Sequence, residues 1–351
     1  MVVLDYWYLL VYFMSIIVSA PGKIHLLGEH AVVYGKPALL AAIDKRLYVE
    51  IRNPTLRLHS GQESGIRKKE EIVIHTTEKK DLAWETIKVF QKAFSIDNLP
   101  PLEINITSQI PVGSGLGSSA ALSAAMIGAL MKFVKNIWNP NRINELVYEV
   151  EKIAHGNPSG ADNTTVVFGG LVWFRREFDF LKSIWSLPIS AYKIPHFVLI
   201  DTGRPMESTK EMVSLAAKQY DENRRSMENI FNDQEKETKK LLLSLRTGNM
   251  DELVSAIRSG ERNLEKIGVV GDLAKKIIRD IEDMGGAAKI CGAGGKKKGS
   301  GVLLCYHEDL SKIKKVAEKS KVSVSPVKLG GEGIRIENNP INQLSNNPII
   351  Q

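Results

Sequence analysis

The segment VGSGLGSSAALSAA, at residues 112–125, combines residue types that suit the binding of a phosphate chain. Its glycines alternate and two serines follow them, at Gly113, Gly115, Gly117, Ser118 and Ser119. Glycine adopts positive φ at little cost, so successive backbone N–H groups can turn towards one centre. The alanine-rich stretch that follows predicts a helix, whose N-terminus adds unsatisfied N–H groups and the positive end of a dipole. The segment therefore predicts an anion site suited to a di- or triphosphate.

Two common phosphate-binding patterns are absent from this loop. The pattern GxxxxGK[ST] needs a Lys-Ser/Thr pair that the loop lacks, and GxGxxG needs a spacing that alternating glycines do not meet. On these residues alone, a tight turn in front of a core helix stays open as the alternative.

A carboxylate and an amine lie in two other glycine- and proline-containing segments. HGNPSGADN, residues 155–163, places Asp162 in a predicted loop just before a predicted strand, where a fixed carboxylate can act as a general base. A solvated turn aspartate is the alternative there. APGKIHLLGEH, residues 20–30, places Lys23 and Glu29 just after a predicted strand.

A hydroxyl and a carboxylate from Ser119 and Glu151 would suit Mg²⁺, which takes few protein oxygens together with phosphate and water. Glu151 lies near the end of an amphipathic helix, so a surface position is the alternative for it. The only cysteines are Cys291 and Cys305, which excludes a disulfide framework and a cysteine zinc site. We expect a reduced, cytoplasmic setting.

The spacing of apolar residues predicts helices in both halves of the chain. They are expected at 81–94, 141–156, 209–232, 234–247, 251–263 and 271–284, and the helix after the glycine loop is expected to run to about Lys135. Alternation predicts strands at 102–110 and 196–203, and TTVVFGGLVWF is interpreted as two strands around a Gly-Gly turn. Helices and strands mixed in this way favour an α+β fold in two domains, at 14–185 and 186–340.

Composition and charge limit the kinds of molecule that the protein is expected to bind. The net charge is +7, without a basic stripe interleaved with aromatics, so we expect no nucleic acid partner. The apolar start of the chain is short for a membrane span and contains Asp5, so we expect no stable membrane insertion. Met14 precedes the first predicted strand, which makes residues 1–13 an expected extension, and residues 341–351 are an expected flexible tail. A homodimer is left open.

The segments, taken in order along the chain, resemble the motifs of the GHMP kinase family. PGKIHLLGEHAVVYGKPAL is similar to the first motif, PVGSGLGSSAALSAA to the phosphate loop, HGNPSGADN to the segment with the catalytic aspartate, and KICGAGGKKKGSG to the third motif. Within the family, the resemblance is greatest to members that phosphorylate mevalonate. It implies two domains with the site in the cleft between them, ATP and (R)-mevalonate as substrates, and Mg²⁺. A phosphomevalonate kinase, a mevalonate 3-kinase and a sugar kinase remain alternatives.

The resemblance also implies roles for individual residues. Lys23 would lie beside the acceptor oxygen, Asp162 would accept the hydroxyl proton, and Ser119 and Glu151 would hold Mg²⁺. On the substrate side it implies Glu29, His30 and Thr209. The ATP phosphates would contact Pro111, Val112, Gly113, Ser114, Gly115, Leu116, Gly117, Ser118, Ser119, Ala120 and Ala121. Lys296, Lys297 and Lys298 replace the small residues usual in the third motif, and are either solvated or an added phosphate clamp.

Overall fold

A computed structural model describes residues 15–54, 72–77, 80–111, 113–156, 158–178 and 180–338. The predictions made for residues 1–13, Met14, Val112 and residues 341–351 lie outside this part of the chain. Within the described residues, none of the helices combines the length and the apolar character needed to cross a membrane.

The first layer is a seven-stranded sheet in the order β11-β1-β2-β4-β3, with β5 beside β2 and β6 beside β5. Its strands are β1 Ile16–Leu27, β2 Ala38–Arg52, β3 Ile72–His75, β4 Leu102–Ser108, β5 Leu171–Arg176, β6 Lys182–Leu187 and β11 Arg335–Ile336. All pairs are antiparallel except β3 with β4. The helices that accompany it are α1 Lys80–Phe94, α2 Ser118–Lys135, α3 Pro140–His155 and α4 Ala161–Phe168.

Helix α2 forms the centre of this layer. It is buried from Ser118 to Met131 except at Ser119, and it packs on β1 and β2. Its alanines and Gly128 let the helix lie close to its neighbours, since a Cβ at Gly128 would lie 2.7 Å from Cδ1 of Ile334. This close packing fixes the start of α2, and with it the phosphate loop that precedes it.

The second layer is a four-stranded antiparallel sheet in the order β10-β7-β9-β8. Its strands are β7 Phe197–Asp201, β8 Ala287–Ile290, β9 Val302–Tyr306 and β10 Ser323–Val327. Its helices are α5 Thr209–Glu222, α6 Arg224–Thr247, α7 Met250–Ile267, α8 Asp272–Asp283 and α9 Leu310–Ser320. The α+β class in two domains is confirmed, while the division at residue 186 stays a prediction.

Several local predictions were wrong. Lys23 lies within β1, which runs from Ile16 to Leu27, and not after the first strand as predicted. Residues 161–168 form helix α4 and not a strand, although TTVV is rich in β-branched residues. The helix begins after Gly160, whose φ is +93°, and the Thr164 and Thr165 hydroxyls bond carbonyls four residues back. Packing against α2 and α3 thus overrides strand propensity. The break predicted between the helices 209–232 and 234–247 is also misplaced, because α5 ends at Glu222 and α6 runs from Arg224 to Thr247.

Candidate active site

A cleft between the two sheets brings together residues from distant parts of the chain. From the first half it is lined by Lys23, His25, Glu29, His30, Glu151 and Asp162, and from the second by Thr209, Val213, Gly292 and Ala293. The expected position of the site between the domains is therefore confirmed, and the roles of the individual residues stay proposals.

The phosphate loop is fixed by contacts from both sheets. The φ angles of Gly113, Gly115 and Gly117 are +72°, +83° and +76°, as the alternating glycines predict. The N–H of Lys23 donates to the Leu116 carbonyl at 2.9 Å, and the N–H of Val302 donates to the Ser114 carbonyl at 3.0 Å. These contacts hold the backbone at Ser114 and Leu116 in place.

Close approach explains two of these glycines. A Cβ on Gly115 would lie 3.2 Å from the backbone nitrogen of Gly292, so the third motif packs directly on the phosphate loop. A Cβ on Gly117 would lie 2.8 Å from Cγ of Lys23. Gly117 is also the N-cap of α2 and provides no side-chain acceptor to the helix start. This helix start can offer N–H groups to an anion.

Asp162 lies in the first turn of α4, not in the loop that the sequence predicted. Lys23 Nζ is 3.0 Å from Oδ2 of Asp162, and His25 Nε2 is 2.9 Å from Oδ1. Burial by itself raises the pKa of Asp162, but the charge of Lys23 and the hydrogen bond with His25 outweigh it and hold this pKa well below its usual range. The ionised form of the carboxylate is therefore favoured.

Lys23 connects this carboxylate to the phosphate loop. Its side chain is buried, and Nζ also donates to the carbonyl of Gly115 at 3.2 Å. One ammonium group thus lies between the loop expected to hold a phosphate chain and the carboxylate expected to act as a base. Such an arrangement suits the transfer of a phosphoryl group to a hydroxyl, which depends on positioning and on charge stabilisation.

His25 is a site residue that the sequence analysis missed, because a lone histidine in an apolar strand is usually a core residue. The available signal was its spacing from Lys23, since residues two apart on a strand point to the same face. In the structure, the side chains of Lys23 and His25 both contact Asp162.

The predicted substrate residues Glu29, His30 and Thr209 all line the cleft. Glu29 is buried and pairs with Lys289 of β8. His30 has a φ of +57°, and its Nε2 is 3.1 Å from the Ala293 carbonyl. Burial lowers the pKa of His30, which favours a neutral ring. Thr209 is the first residue of α5 and belongs to the second half of the chain.

Behind the cleft lies a buried charge cluster of Lys289, Glu29 and Glu261, which the sequence did not indicate. The ammonium of Lys289 is fully buried and donates to Glu29, to the Ile290 carbonyl and, at 3.0 Å, to the His25 carbonyl. Glu261 of α7 is fully buried as well, and accepts the Ile290 N–H at 3.1 Å. One cation thus faces two carboxylates out of water.

This imbalance predicts a pH-dependent stability. Burial raises the pKa of Glu261 from 4.5 to about 8, although the charge of Lys289 opposes it. The folded state therefore binds this proton more tightly than the unfolded state. The resulting stabilisation is fully present below about pH 4.5, and it is lost as the pH rises to about 8. We expect the free energy of unfolding to fall by a few kcal/mol, on the order of 1.4 kcal/mol per pH unit, across this window.

The Glu261→Gln variant isolates this effect, because an amide resembles the protonated carboxyl and does not titrate. Urea unfolding of wild type and variant at intervals from pH 5 to pH 8.5 should give a flatter curve for the variant. Parallel curves would show that Glu261 stays ionised or does not affect stability.

Ser119 and Glu151, the predicted magnesium ligands, stay a prediction that the donor types allow. Ser119 lies in the first turn of α2, and Glu151 of α3 is buried and lines the cleft. The described residues contain no cluster of three or more His, Cys, Asp or Glu side chains that could hold a metal alone. One carboxylate and one hydroxyl, both hard oxygen donors, fit an ion that takes its other ligands from phosphate and water.

Lys296, Lys297 and Lys298 are exposed. The backbone N–H of Lys296 donates to the Glu207 carboxylate at 3.3 Å, which ties this loop to the segment before α5. Their exposure fits the solvated interpretation, and the choice between it and a phosphate clamp stays a prediction.

Comparison with known proteins agrees with this geometry. Residues 81–170 match the family model of the GHMP kinases N terminal domain, and residues 13–53 match the galactokinase galactose-binding signature. A mevalonate kinase of Pyrococcus abyssi is 31% identical to the chain over 92% of this chain and 98% of its own length. The chain belongs to the mevalonate kinase family. The resemblance to the GHMP kinases is thereby confirmed, and the protein is an ATP-dependent kinase that acts on an alcohol.

Solved structures show the same fold. The Methanococcus jannaschii mevalonate kinase superposes with a TM-score of 0.71 and 22% identity, covering 91% of this chain and 99% of that one. A Streptococcus pneumoniae phosphomevalonate kinase, solved with phosphomevalonate and AMPPNP, superposes with a TM-score of 0.69 at 17% identity, covering 89% and 99%. Mevalonate kinases are thus related to this chain by sequence and fold, and the phosphomevalonate kinase by fold.

Proposed function

We propose that this protein transfers the γ-phosphoryl group of ATP to the 5-hydroxyl of (R)-mevalonate, giving 5-phosphomevalonate and ADP. The observation that carries the proposal is the Lys23–Asp162 ion pair beside the phosphate loop, in a chain similar to a mevalonate kinase over nearly its whole length. The cleft provides a cation and an ionised carboxylate where the acceptor hydroxyl would meet the phosphate.

In the proposed mechanism, the glycine loop and the start of α2 bind the ATP phosphates. The acceptor oxygen forms a bond to the γ-phosphorus while the bond from that phosphorus to the bridging oxygen of ADP breaks. The hydroxyl proton passes to Asp162, and Lys23 stabilises the charge on the acceptor oxygen. Because the pKa of Asp162 is held low, it is a weak base. We infer that it takes the proton late, once the forming P–O bond has made the oxygen acidic.

Ser119 and Glu151 would hold Mg²⁺, which when bound supplies positive charge to the β- and γ-phosphates. The Ser119→Ala and Glu151→Gln variants each remove one proposed ligand. We expect the Mg²⁺ concentration for half-maximal activity to rise roughly tenfold or more in both, with a smaller change in nucleotide binding. Activity across a Mg²⁺ titration is the measurement.

Glu149→Gln is the matched control for this prediction. Glu149 lies on the same helix as Glu151 but is exposed and pairs with Lys152 on the surface. Unchanged metal dependence in both test variants would contradict the assignment of Ser119 and Glu151.

The acceptor is tested by assaying the purified protein with ATP and Mg²⁺ against mevalonate, 5-phosphomevalonate, galactose and homoserine. We expect the highest kcat/KM for mevalonate. Galactose is included because residues 13–53 match the galactokinase signature, although AVVYG stands where galactokinases usually have TDY. A higher kcat/KM for any other acceptor would overturn the proposal.

We also propose a cytoplasmic location. Cys291 and Cys305 are both buried and free, which fits a reducing compartment. A homodimer and the lack of a nucleic acid partner stay predictions.

A further inference from the structure

His25 makes a contact that the mechanism above does not use. Its Nε2 lies 2.9 Å from Oδ1 of Asp162, while Nζ of Lys23 lies 3.0 Å from Oδ2. Each carboxylate oxygen of Asp162 therefore has its own partner, and both partners come from one strand.

The local shape of β1 supports a specific role for this strand segment. The pairing of β1 with β2 shifts register between Pro21 and Lys23 and again between His25 and Leu27. Such irregularities bend a strand locally and re-aim its side chains, and they are common beside active sites. Lys23 and His25 lie between the two shifts, and both side chains reach α4 from the same face of the strand.

The hydrogen bonding of the imidazole ring is limited to this contact. An ionised carboxylate can only accept, so Nε2 carries the proton that is shared with Asp162. Nδ1 is buried and has no hydrogen-bond partner among the described residues. The contact with Asp162 is therefore the one hydrogen bond that the buried ring makes within this part of the chain.

We propose that His25 is a positioning residue that holds Oδ1 of Asp162, so that Oδ2 is presented to Lys23 and to the acceptor hydroxyl. This inference rests on the proposed role of Asp162 as the proton acceptor. The Asp162 side chain is 36% exposed in the cleft, so without His25 the carboxylate can rotate about its Cβ–Cγ bond. Phosphoryl transfer depends on positioning, and a misplacement of about 1 Å can cost 10²-fold in rate.

Two substitutions separate the hydrogen bond from the volume of the ring. His25→Leu removes the donor and keeps an apolar side chain of similar bulk, and we expect kcat to fall roughly 10- to 100-fold with an unchanged KM for ATP. His25→Gln keeps an amide donor that can reach Oδ1, and we expect it to retain about half of kcat or more. Melting temperatures of both variants show whether they fold.

A double-mutant cycle tests whether His25 acts through Asp162. In the Asp162→Asn background, His25→Leu should change kcat less than about twofold, because the carboxylate that it positions is gone. The same loss in both backgrounds would show a merely structural role for His25. A loss in His25→Gln as large as in His25→Leu would assign proton transfer to the imidazole itself. Either result overturns the proposal.

Nitrogen-15 NMR of the imidazole ring tests the contact between His25 and Asp162 without relying on the kinase activity. We expect Nε2 to be the protonated nitrogen in wild type, and this preference to weaken in Asp162→Ala. A ring protonated at Nδ1, or one unaffected by Asp162→Ala, would overturn the contact even in an active enzyme. A wild-type protein that phosphorylates none of the four acceptors while showing the expected ring signals would contradict the proposed function alone.

Discussion

The Asp162→Asn variant should lose kcat on mevalonate by roughly 10²- to 10⁴-fold, the usual contribution of a general base. The amide keeps the shape of the carboxylate but removes its charge and its capacity to accept the proton. Nucleotide affinity should barely change, because the ATP phosphates rest on the glycine loop and on α2. Steady-state kinetics and calorimetric titration with ATP measure the two quantities.

Asp272→Asn is a suitable control, because Asp272 is an exposed aspartate at the same kind of position, in the first turn of a helix. Its kcat should match that of wild type. If Asp162→Asn kept more than about half of the wild-type kcat, Asp162 would not be the base.

Substitution of Lys23 provides a second test of the proposed proton transfer from the acceptor hydroxyl to Asp162. Lys23→Met should also lower kcat, since the acceptor oxygen and Asp162 both lose their neighbouring cation. The two losses should be far from additive in the double variant, because both residues act on one oxygen and one proton. Additive losses would indicate that Lys23 and Asp162 act in separate steps.

Lys289→Met should destabilise the protein by about 3–5 kcal/mol, a large part of the 5–15 kcal/mol typical of a folded domain. Methionine fills a similar volume, but it leaves Glu29 buried without the ammonium that now binds it. The His25 and Ile290 carbonyls lose a donor as well. Urea unfolding monitored by circular dichroism measures the free energy of unfolding.

A second substitution distinguishes the loss of charge compensation from a simple packing defect. Adding Glu29→Gln to Lys289→Met removes the uncompensated carboxylate, and we expect it to restore a substantial part of the stability. Lys276→Met, at an exposed position on α8, should change the free energy of unfolding by less than about 0.5 kcal/mol. Equal stability of the single and double variants would argue against an uncompensated charge at Glu29.

Features that depend on neighbouring residues could be predicted from the sequence. The alternating glycines predicted positive φ at three positions of the phosphate loop, and all three have it. Apolar spacing predicted α1 and α3 to within one residue at each end. The conformational freedom of glycine and the periodicity of a helix depend only on residues close together in the sequence, so they can be predicted from it directly. The roles of Lys23, Asp162 and Glu151 followed from the resemblance to the GHMP kinase motifs, and they stay predictions.

Features that depend on contacts between distant residues were decided only by the tertiary structure. His25 and Asp162 are 137 positions apart, and Lys289 and Glu29 are 260 apart, so no local pattern links either pair. The TTVV run becomes the helix α4 because α2 and α3 pack against it, whereas its β-branched residues alone favour a strand. Burial raises the pKa of both Asp162 and Glu261. Lys23 and His25 nevertheless hold the pKa of Asp162 below its usual range, whereas Glu261 shares Lys289 with Glu29 and its pKa stays raised. The free energy of each of these interactions depends on removal from water, which is a property of the folded chain and not of any segment of it.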